Sequence, residues 1–499
     1  MSNAPQSNQR RVLIIGADGL RPDLIDPQLM PNVAALAVGG VRALHHHAVY
    51  PTHTRVNISA LATGTMPGRH GIVANTMLVP NATEDHIIDT GNYQHINSLE
   101  EASGGHALLV PSLGDLLAAR GERVAVAATS SAGAAMLWTH RHLSRMVNTN
   151  TAYGIADLYD LRDKLGELPA KERGAPQLAG QSYAASAVTQ LYLQDPRNRV
   201  IVLWMNEPDT SFHYAGLGSP ESIEALRRVD QCVGEVVTAL EKQGVREQFD
   251  IFFISDHGHS TVEAHNTLRE YLQQAQAEIG RALPPLATAS DYIYARPGTS
   301  EPSAEELAPL VEWLLDQSWA GVVLGGTPEL AGLPGVLPLA ALWNGQLNGR
   351  RPLLAVSPRW GDNRNEHGIV GSVKSLTTQS ALRSSHGSLS PYDLHATFIA
   401  NGPSFRSGDE STLPTGATDL LPTVLTLLGL PLHNGLDGRV LWELFAQPQA
   451  DVVRESVDEV LEAEKGQGGK VLLHKVGSSV YVHGAIQPDT TFRLAGVEQ

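Results

Sequence analysis

Apolar residues in this chain fall into two patterns. Short, largely apolar runs recur at Val12-Leu13-Ile14-Ile15-Gly16, Arg123–Ala128, Val200-Ile201-Val202-Leu203-Trp204 and Phe249–Ser255. Runs of that kind predict strands buried on both faces, as in parallel sheets. Between them, apolar positions recur at helical spacing: Pro31–Val38, Arg55–Ala62 closed by Gly64, Ser112–Arg120, Leu178–Leu193 and Glu221–Lys242. A strand is also expected near Val41–Val49. Alternation of buried strands with amphipathic helices predicts an α/β fold, a central, mostly parallel sheet sandwiched by helices.

After Ser260 the rhythm changes. Asn266–Ala277 reads as helix, and Tyr292–Arg296, Ala304–Gln317 and Gly321–Leu324 as strand, helix, strand, followed by a strand at Leu353–Ser357. Residues 285–375 are therefore expected to form a smaller inserted α+β lobe. The main α/β core is expected over 11–284 and 376–448, resuming with a strand at Ala396–Ala400 and a helix at Thr418–Leu428. Residues 449–499 are expected as an extension: an acidic helix, a Gly-rich linker at Gly466–Gly469, and an alternating hairpin over Lys470–Ala485.

Composition narrows the function classes. The 499 residues carry 36 basic and 52 acidic side chains, a formal charge of −16, which argues against general affinity for a nucleic-acid backbone. No apolar stretch is long enough for a membrane span, and Val12–Gly16 is too short for a secretory signal core. The single cysteine, Cys232, allows no intramolecular disulfide. A cytoplasmic location is the expectation. The 20 histidines make metal ligation worth pursuing. His45-His46-His47 is not expected to form a site by itself, because strand alternation turns His46 away from its neighbours.

Candidate chemistry gathers where the apolar runs end. Asp18 follows the first, Asp209 lies just beyond the third, and Asp256-His257-Gly258-His259 follows the fourth. Open α/β sheets bind ligands at that edge. An Asp there is equally a turn or helix-capping residue. His213 stands four residues beyond Asp209, on one face of a helical turn. Thr54 falls at a helix N-terminus, where free amides favour an anion, and it could equally be a simple N-cap. Asn75, in a loop bounded by glycine, could donate to an oxyanion. His386 lies in Ser384-Ser385-His386-Gly387.

Taken in order, these segments resemble the alkaline phosphatase superfamily, in its nucleotide pyrophosphatase/phosphodiesterase branch. The resemblance runs from about residue 11 to about 445. It rests on Ile14–Arg21, Tyr50-Pro51-Thr52-His53-Thr54, Gly71–Asn75, Asn206-Glu207-Pro208-Asp209 with His213, Ser255-Asp256-His257-Gly258, and Ser385-His386-Gly387 with Asn401-Gly402-Pro403. It implies two divalent ions: one held by Asp18, Thr54, Asp256 and His257, the other by Asp209, His213 and His386. Zinc is the family's usual ion, and an all-N/O ligand set is also compatible with manganese. Thr54 would be the nucleophile and Asn75 a phosphate-oxygen donor. His259 is read as an outer residue.

Two departures shape the substrate reading. Arg55 stands where nucleotide-binding relatives often place an aromatic, so Arg55 is read as a substrate-binding cation for a second charged group. Monoesterase and phosphonate-hydrolase relatives carry Lys beyond the strand Arg123–Ala128; this chain has Ser130-Ser131-Ala132-Gly133, with Arg55 and Arg141 the cations that could substitute. A phosphodiesterase or pyrophosphatase acting on a small molecule is therefore favoured over a phosphomonoesterase or phosphonate hydrolase. Sulfatases of the superfamily need Cys or Ser where Thr54 stands. A metal-binding structural relative without turnover is disfavoured by the completeness of the ligand set.

Overall fold

The computed structural model describes residues 10–140, 145–148, 151–153, 158–170, 176–345, 349–376, 381–449, 453 and 455–487. Arg141 lies outside them. The central sheet is built from β1 (Arg11–Ala17), β2 (Val41–Ala43), β3 (Arg123–Ala128), β4 (Arg145–Asn148), β5 (Thr151–Tyr153), β6 (Asn198–Met205), β7 (Phe249–Ile254), β8 (Phe398–Asn401) and β9 (Asp409–Ser411). Their spatial order is β9-β2-β8-β7-β1-β6-β3-β4-β5. The five strands from β7 to β4 are mutually parallel, and β8 and β5 run antiparallel to their inner neighbours.

Burial on both faces explains the largely apolar runs. In β1, Val12 and Ile14 enter one hydrophobic core while Leu13, Ile15 and Ala17 enter the other. The second core is closed by the long helix Pro220–Lys242, whose Leu226, Val229, Val233, Val236 and Leu240 form its buried stripe. The first is closed by the buried helix α1 (Thr54–Thr63). The expected strand at Val41–Val49 is broken: β2 ends at Ala43, and His46–His47 pairs separately with Thr415–Gly416.

Within the 285–375 segment, a separate five-stranded sheet runs Leu286–Ala289, Tyr292–Ala295, Leu354–Pro358, Ala320–Gly325, Val336–Pro338 in spatial order. It has its own core, to which the helix Leu268–Glu278 contributes Leu268, Tyr271 and Ala275. The segment's last strands, Trp360–Arg364 and Val370–Val373, join a different sheet with Ser260–Val262 and Ser384–Ser385. That small sheet sets Ser260 opposite Ser385 and so brings His386 to the end of β7.

The acidic helix expected beyond residue 449 is corrected. Val457–Leu461 is a strand on the edge of the hairpin Lys470–Val476 and Ser479–Ile486. Its charges are satisfied across the ladder: Asp458 meets His474, Glu459 meets Lys475 and, just past the strand, Glu462 meets Lys470. Cross-strand pairing with a ready edge outweighs the local helical preference of an acidic run. Among the described residues, no helix is long and apolar enough to cross a membrane.

Candidate metal centre

Three adjacent strands, β7, β1 and β6, deliver the carboxylates. Gly16 is level with Ile254 on one side and Ala17 with Met205 on the other, so the chain ends of all three strands lie side by side. The Asp18 amide donates to the Met205 carbonyl at 2.9 Å and the Asp209 amide to the Asp18 carbonyl at 3.0 Å. The Gly19 amide donates to Asp256 Oδ1 at 3.2 Å. Gly16 has a steric reason to be glycine: a Cβ there would lie 2.1 Å from the Trp204 ring. That ring occupies the gap and donates Nε1–H to Asp18 Oδ2 at 3.2 Å.

The structure gathers the predicted residues into two contiguous groups. In the first, His257 Nε2 lies 3.2 Å from Thr54 Oγ1, 3.4 Å from Asp18 Oδ1 and 3.4 Å from Asp256 Oδ2. In the second, Asp209 Oδ1 lies 3.3 Å from His213 Nε2 and 3.4 Å from His386 Nε2. The groups touch where the His257 and His386 rings stack, centroids 3.6 Å apart. His213 reaches the cluster from the short helix Asp209–Ala215, whose spacing sets it one turn from Asp209.

Each ring is fixed from behind by a carbonyl. Nδ1 of His213 faces the Ser384 carbonyl at 2.8 Å, Nδ1 of His257 the Gly258 carbonyl at 2.9 Å, and Nδ1 of His386 the Thr52 carbonyl at 2.6 Å. A carbonyl can only accept, so Nδ1 carries a proton and Nε2 is the atom turned inward. That is how a protein prepares histidines for a metal. Gly387, at φ +117°, lets the chain turn beside His53, where a Cβ would meet the imidazole at 2.7 Å.

The electrostatics favour positive charge in the cluster. Asp18 Oδ1 and Asp256 Oδ2 are buried and accept no hydrogen bond among the described residues. Burial and the Asp209 charge push the Asp18 carboxyl up, and burial with the Asp18 charge pushes Asp256 far up. Burial would lower His257, but Asp256 and Asp18 together carry it up to about 10. Carboxylates crowded this way cannot all ionise without positive charge between them. The donor set, carboxylate and imidazole with one hydroxyl, fits divalent zinc or manganese.

Thr54 is the first residue of α1, with His53 extended before it and Gly64 closing the helix in the left-handed region at φ 65°. Asn75 sits opposite. Its Oδ1 accepts from the Arg55 amide at 3.1 Å, which leaves the Asn75 NH2 free to turn toward a substrate oxygen. The Arg55 guanidinium is half-buried, 3.6 Å from Asp89, and its Nε–H has no partner among the described residues.

His259 is placed closer in than the sequence suggested. It is fully buried, with Nε2 2.7 Å from Asp209 Oδ1 and Nδ1 3.1 Å from Ser384 Oγ. The spacing from His257 gave no sign of this, because the small sheet through Ser260–Val262 swings the chain back. Trp204, the hydrogen-bond donor behind Asp18, was also invisible as a site residue; it read as the last member of an apolar strand.

A mostly parallel sheet with a cluster of Asp and His side chains at its carboxyl edge, and a helix N-terminus aimed into it, fits an alkaline phosphatase-like α/β fold. Comparison with known proteins places the chain more finely. The profile of the type I phosphodiesterase / nucleotide pyrophosphatase family matches residues 12–317. The chain belongs to that family. An uncharacterized pyrophosphatase/phosphodiesterase of Schizosaccharomyces pombe is 26% identical over 266 residues, 52% of this chain and 46% of that protein. Human ectonucleotide pyrophosphatase/phosphodiesterase family member 1 is 27% identical over 253 residues, 49% of this chain and 23% of that protein. These alignments thus span less than half of either relative. Murine ectonucleotide pyrophosphatase/phosphodiesterase 5 superposes with a TM-score of 0.61 at 18% identity, covering 88% of this chain and 100% of that structure. An inactive variant of the murine protein has been solved in complex with AMP.

Proposed function

We propose that this protein hydrolyses phosphodiester or pyrophosphate bonds of small molecules, with Thr54 as nucleophile and two divalent ions in the cluster. The observation that carries the reading is Thr54 Oγ1 at a helix N-terminus, 3.2 Å from His257 Nε2, which also lies 3.4 Å from two buried carboxylate oxygens that accept no hydrogen bond among the described residues. Asp18, Thr54, Asp256 and His257 would hold one ion and Asp209, His213 and His386 the other, zinc by family habit and manganese by compatibility. Ions so held would supply charge neutralisation at the attacking and leaving oxygens and a lowered pKa for the Thr54 hydroxyl.

The chain's own residues do the rest. Thr54 Oγ1 gives its proton to water and attacks phosphorus in line, the bond to the leaving oxygen breaks as that oxygen takes a proton from water, and the phosphoryl group, with any second ester it carries, rests on Thr54. Water attacking from the vacated side returns Thr54. The Thr54 amide and the Asn75 NH2 donate to the non-bridging oxygens as charge grows on them. His259 holds the Asp209 carboxylate in place. Arg55 binds a second anionic group of the substrate, and the AMP complex of the murine relative supports a nucleotide as one such substrate.

The segment after β3 favours a diester over a monoester. Ser131 caps the helix Ala132–Leu137, and no lysine stands from Thr129 to Leu137 to meet the extra charge of a phosphate monoester. Thr54→Ala, assayed on bis-p-nitrophenyl phosphate with zinc restored, is expected to lose at least about 10³-fold in kcat, the scale of losing a nucleophile. Turnover equal to that of the unaltered protein would remove Thr54 from the mechanism.

A further inference from the structure

A second cluster of imidazoles lies outside the metal centre and shares no residue with it. His47 comes from the two-residue strand His46–His47, His395 from the turn after the helix Pro391–Leu394, and His474 and His483 from the two strands of the C-terminal hairpin. The alternation that separates His46 from His47 holds. His46 packs on Phe398, ring centroids 4.6 Å apart, while His47 faces the hairpin. Both are buried rather than solvated.

Three ring nitrogens converge. His47 Nε2 is 3.0 Å from His483 Nδ1, and His395 Nε2 is 3.3 Å from the same Nδ1. His47 Nδ1 faces the Thr415 carbonyl at 3.0 Å, so its proton is there and its Nε2 carries a lone pair toward the cluster. His483 Nδ1 holds at most one proton, so hydrogen bonding can satisfy one of its two nitrogen neighbours and leaves the other opposed. A single cation satisfies all three. Ligands at about 2.0–2.1 Å in a tetrahedral shell lie about 3.3 Å apart; the two spacings to His483 Nδ1 are 3.0 and 3.3 Å, and all three nitrogens lie within 4.8 Å of one another.

Two further features agree. Burial, aided by neighbouring histidines, pushes His395 down to about 3 and His47 and His483 well below the ordinary imidazole value, so all three keep their lone pairs at neutral pH. His474 stands beside them, its ring 4.4 Å from that of His483. Its Nδ1 is held by Asp458 at 2.7 Å, and its buried Nε2 has no partner among the described residues. An entry path exists: His395 and His45 line a cavity of about 940 Å³ together with Arg21 and Tyr392.

We propose that His47, His395 and His483 form a separate site for one borderline transition-metal ion of the Zn2+ type, which fastens the C-terminal hairpin to the core. The imidazole-only donor set selects against Mg2+ and Ca2+. The full-length protein, stripped with a chelator, reloaded with Zn2+ and desalted, is expected to hold one more zinc per chain than His395→Gln or His483→Gln. Hydrolysis of bis-p-nitrophenyl phosphate should stay within about twofold in both. Because the readout is a difference between proteins with the same catalytic cluster, it does not depend on how many ions that cluster holds. Equal zinc content in folded variants and the unaltered protein overturns the proposal. For variants that do not fold, anomalous diffraction at the zinc edge from zinc-loaded crystals of the unaltered protein decides: a peak among the three nitrogens supports the site, and none there overturns it.

Discussion

Arg55 stands beside the cluster, and its surroundings say what it can do. It follows Thr54, its backbone amide is committed to Asn75, and its guanidinium is only loosely matched by Asp89 at 3.6 Å. The burial that lowers its pKa is opposed by Asp89 and the three cluster carboxylates, so the side chain stays charged and ready for an anion. Arg55→Ala is expected to raise KM for a dinucleotide or pyrophosphate about tenfold, with kcat within about threefold, the signature of lost binding that is equal in ground and transition states. On bis-p-nitrophenyl phosphate, which offers no second anion, KM should barely move. Steady-state kinetics on both substrates check this, and equal KM changes on the two would remove Arg55 from recognition. Most of the site was legible at this scale because its residues sit in short contiguous motifs. His259 was not, because its distance to Asp209 depends on where a later strand pairs.

Among the elements, the buried strands were read almost to the residue. Arg123–Ala128 was expected and observed with the same bounds, and Val200–Trp204 grew only to Asn198–Met205. A strand covered on both faces has no polar alternation to blur it. The strand Val457–Leu461 was misread because its partner, Lys470–Val476, lies across the Gly-rich linker, and a local acidic run cannot announce that edge. The hairpin is tied to the core through Asp419, at the start of the helix Leu420–Leu427. Its Oδ2 accepts from the Tyr481 hydroxyl and the Gly416 amide, both at 2.9 Å, and its Oδ1 from the Arg439 amide at 2.8 Å. Burial nonetheless pushes this carboxyl up to about 6 from an ordinary 3.8. A raised carboxyl favours the folded state while protonated. That contribution is full below about pH 4 and is lost as pH climbs through about 6, on the order of 3 kcal/mol across the window. Asp419→Asn stays uncharged throughout. Calorimetric melting temperatures from pH 4 to 7 should therefore show the variant gaining on the unaltered protein as pH rises. A difference that is flat with pH would contradict the assignment.

For the whole molecule, the central sheet and the cluster are one object: three parallel strands end at one level, and their carboxylates meet because the strands are neighbours. The order β7-β1-β6 could not be read from the sequence, since nothing in an apolar run names its neighbour; the convergence of Asp18, Asp209 and Asp256 was the only hint. The repulsion among those carboxylates ties metal to folding. Chelation is expected to abolish diester hydrolysis and to lower the melting temperature, and added Zn2+ or Mn2+ to restore both, since an ion that binds only the folded chain stabilises it. Scanning calorimetry with parallel assays checks this, and a melting temperature indifferent to chelator would contradict it.

The central claim is that phosphorus is attacked by Thr54 first and by water second. Hydrolysis of a chiral phosphorothioate diester in isotopically labelled water tests it most directly. Two in-line displacements invert twice, so the account predicts overall retention of configuration at phosphorus. Net inversion would mean that water attacks the substrate directly, and that Thr54 is a ligand or a cap rather than the nucleophile.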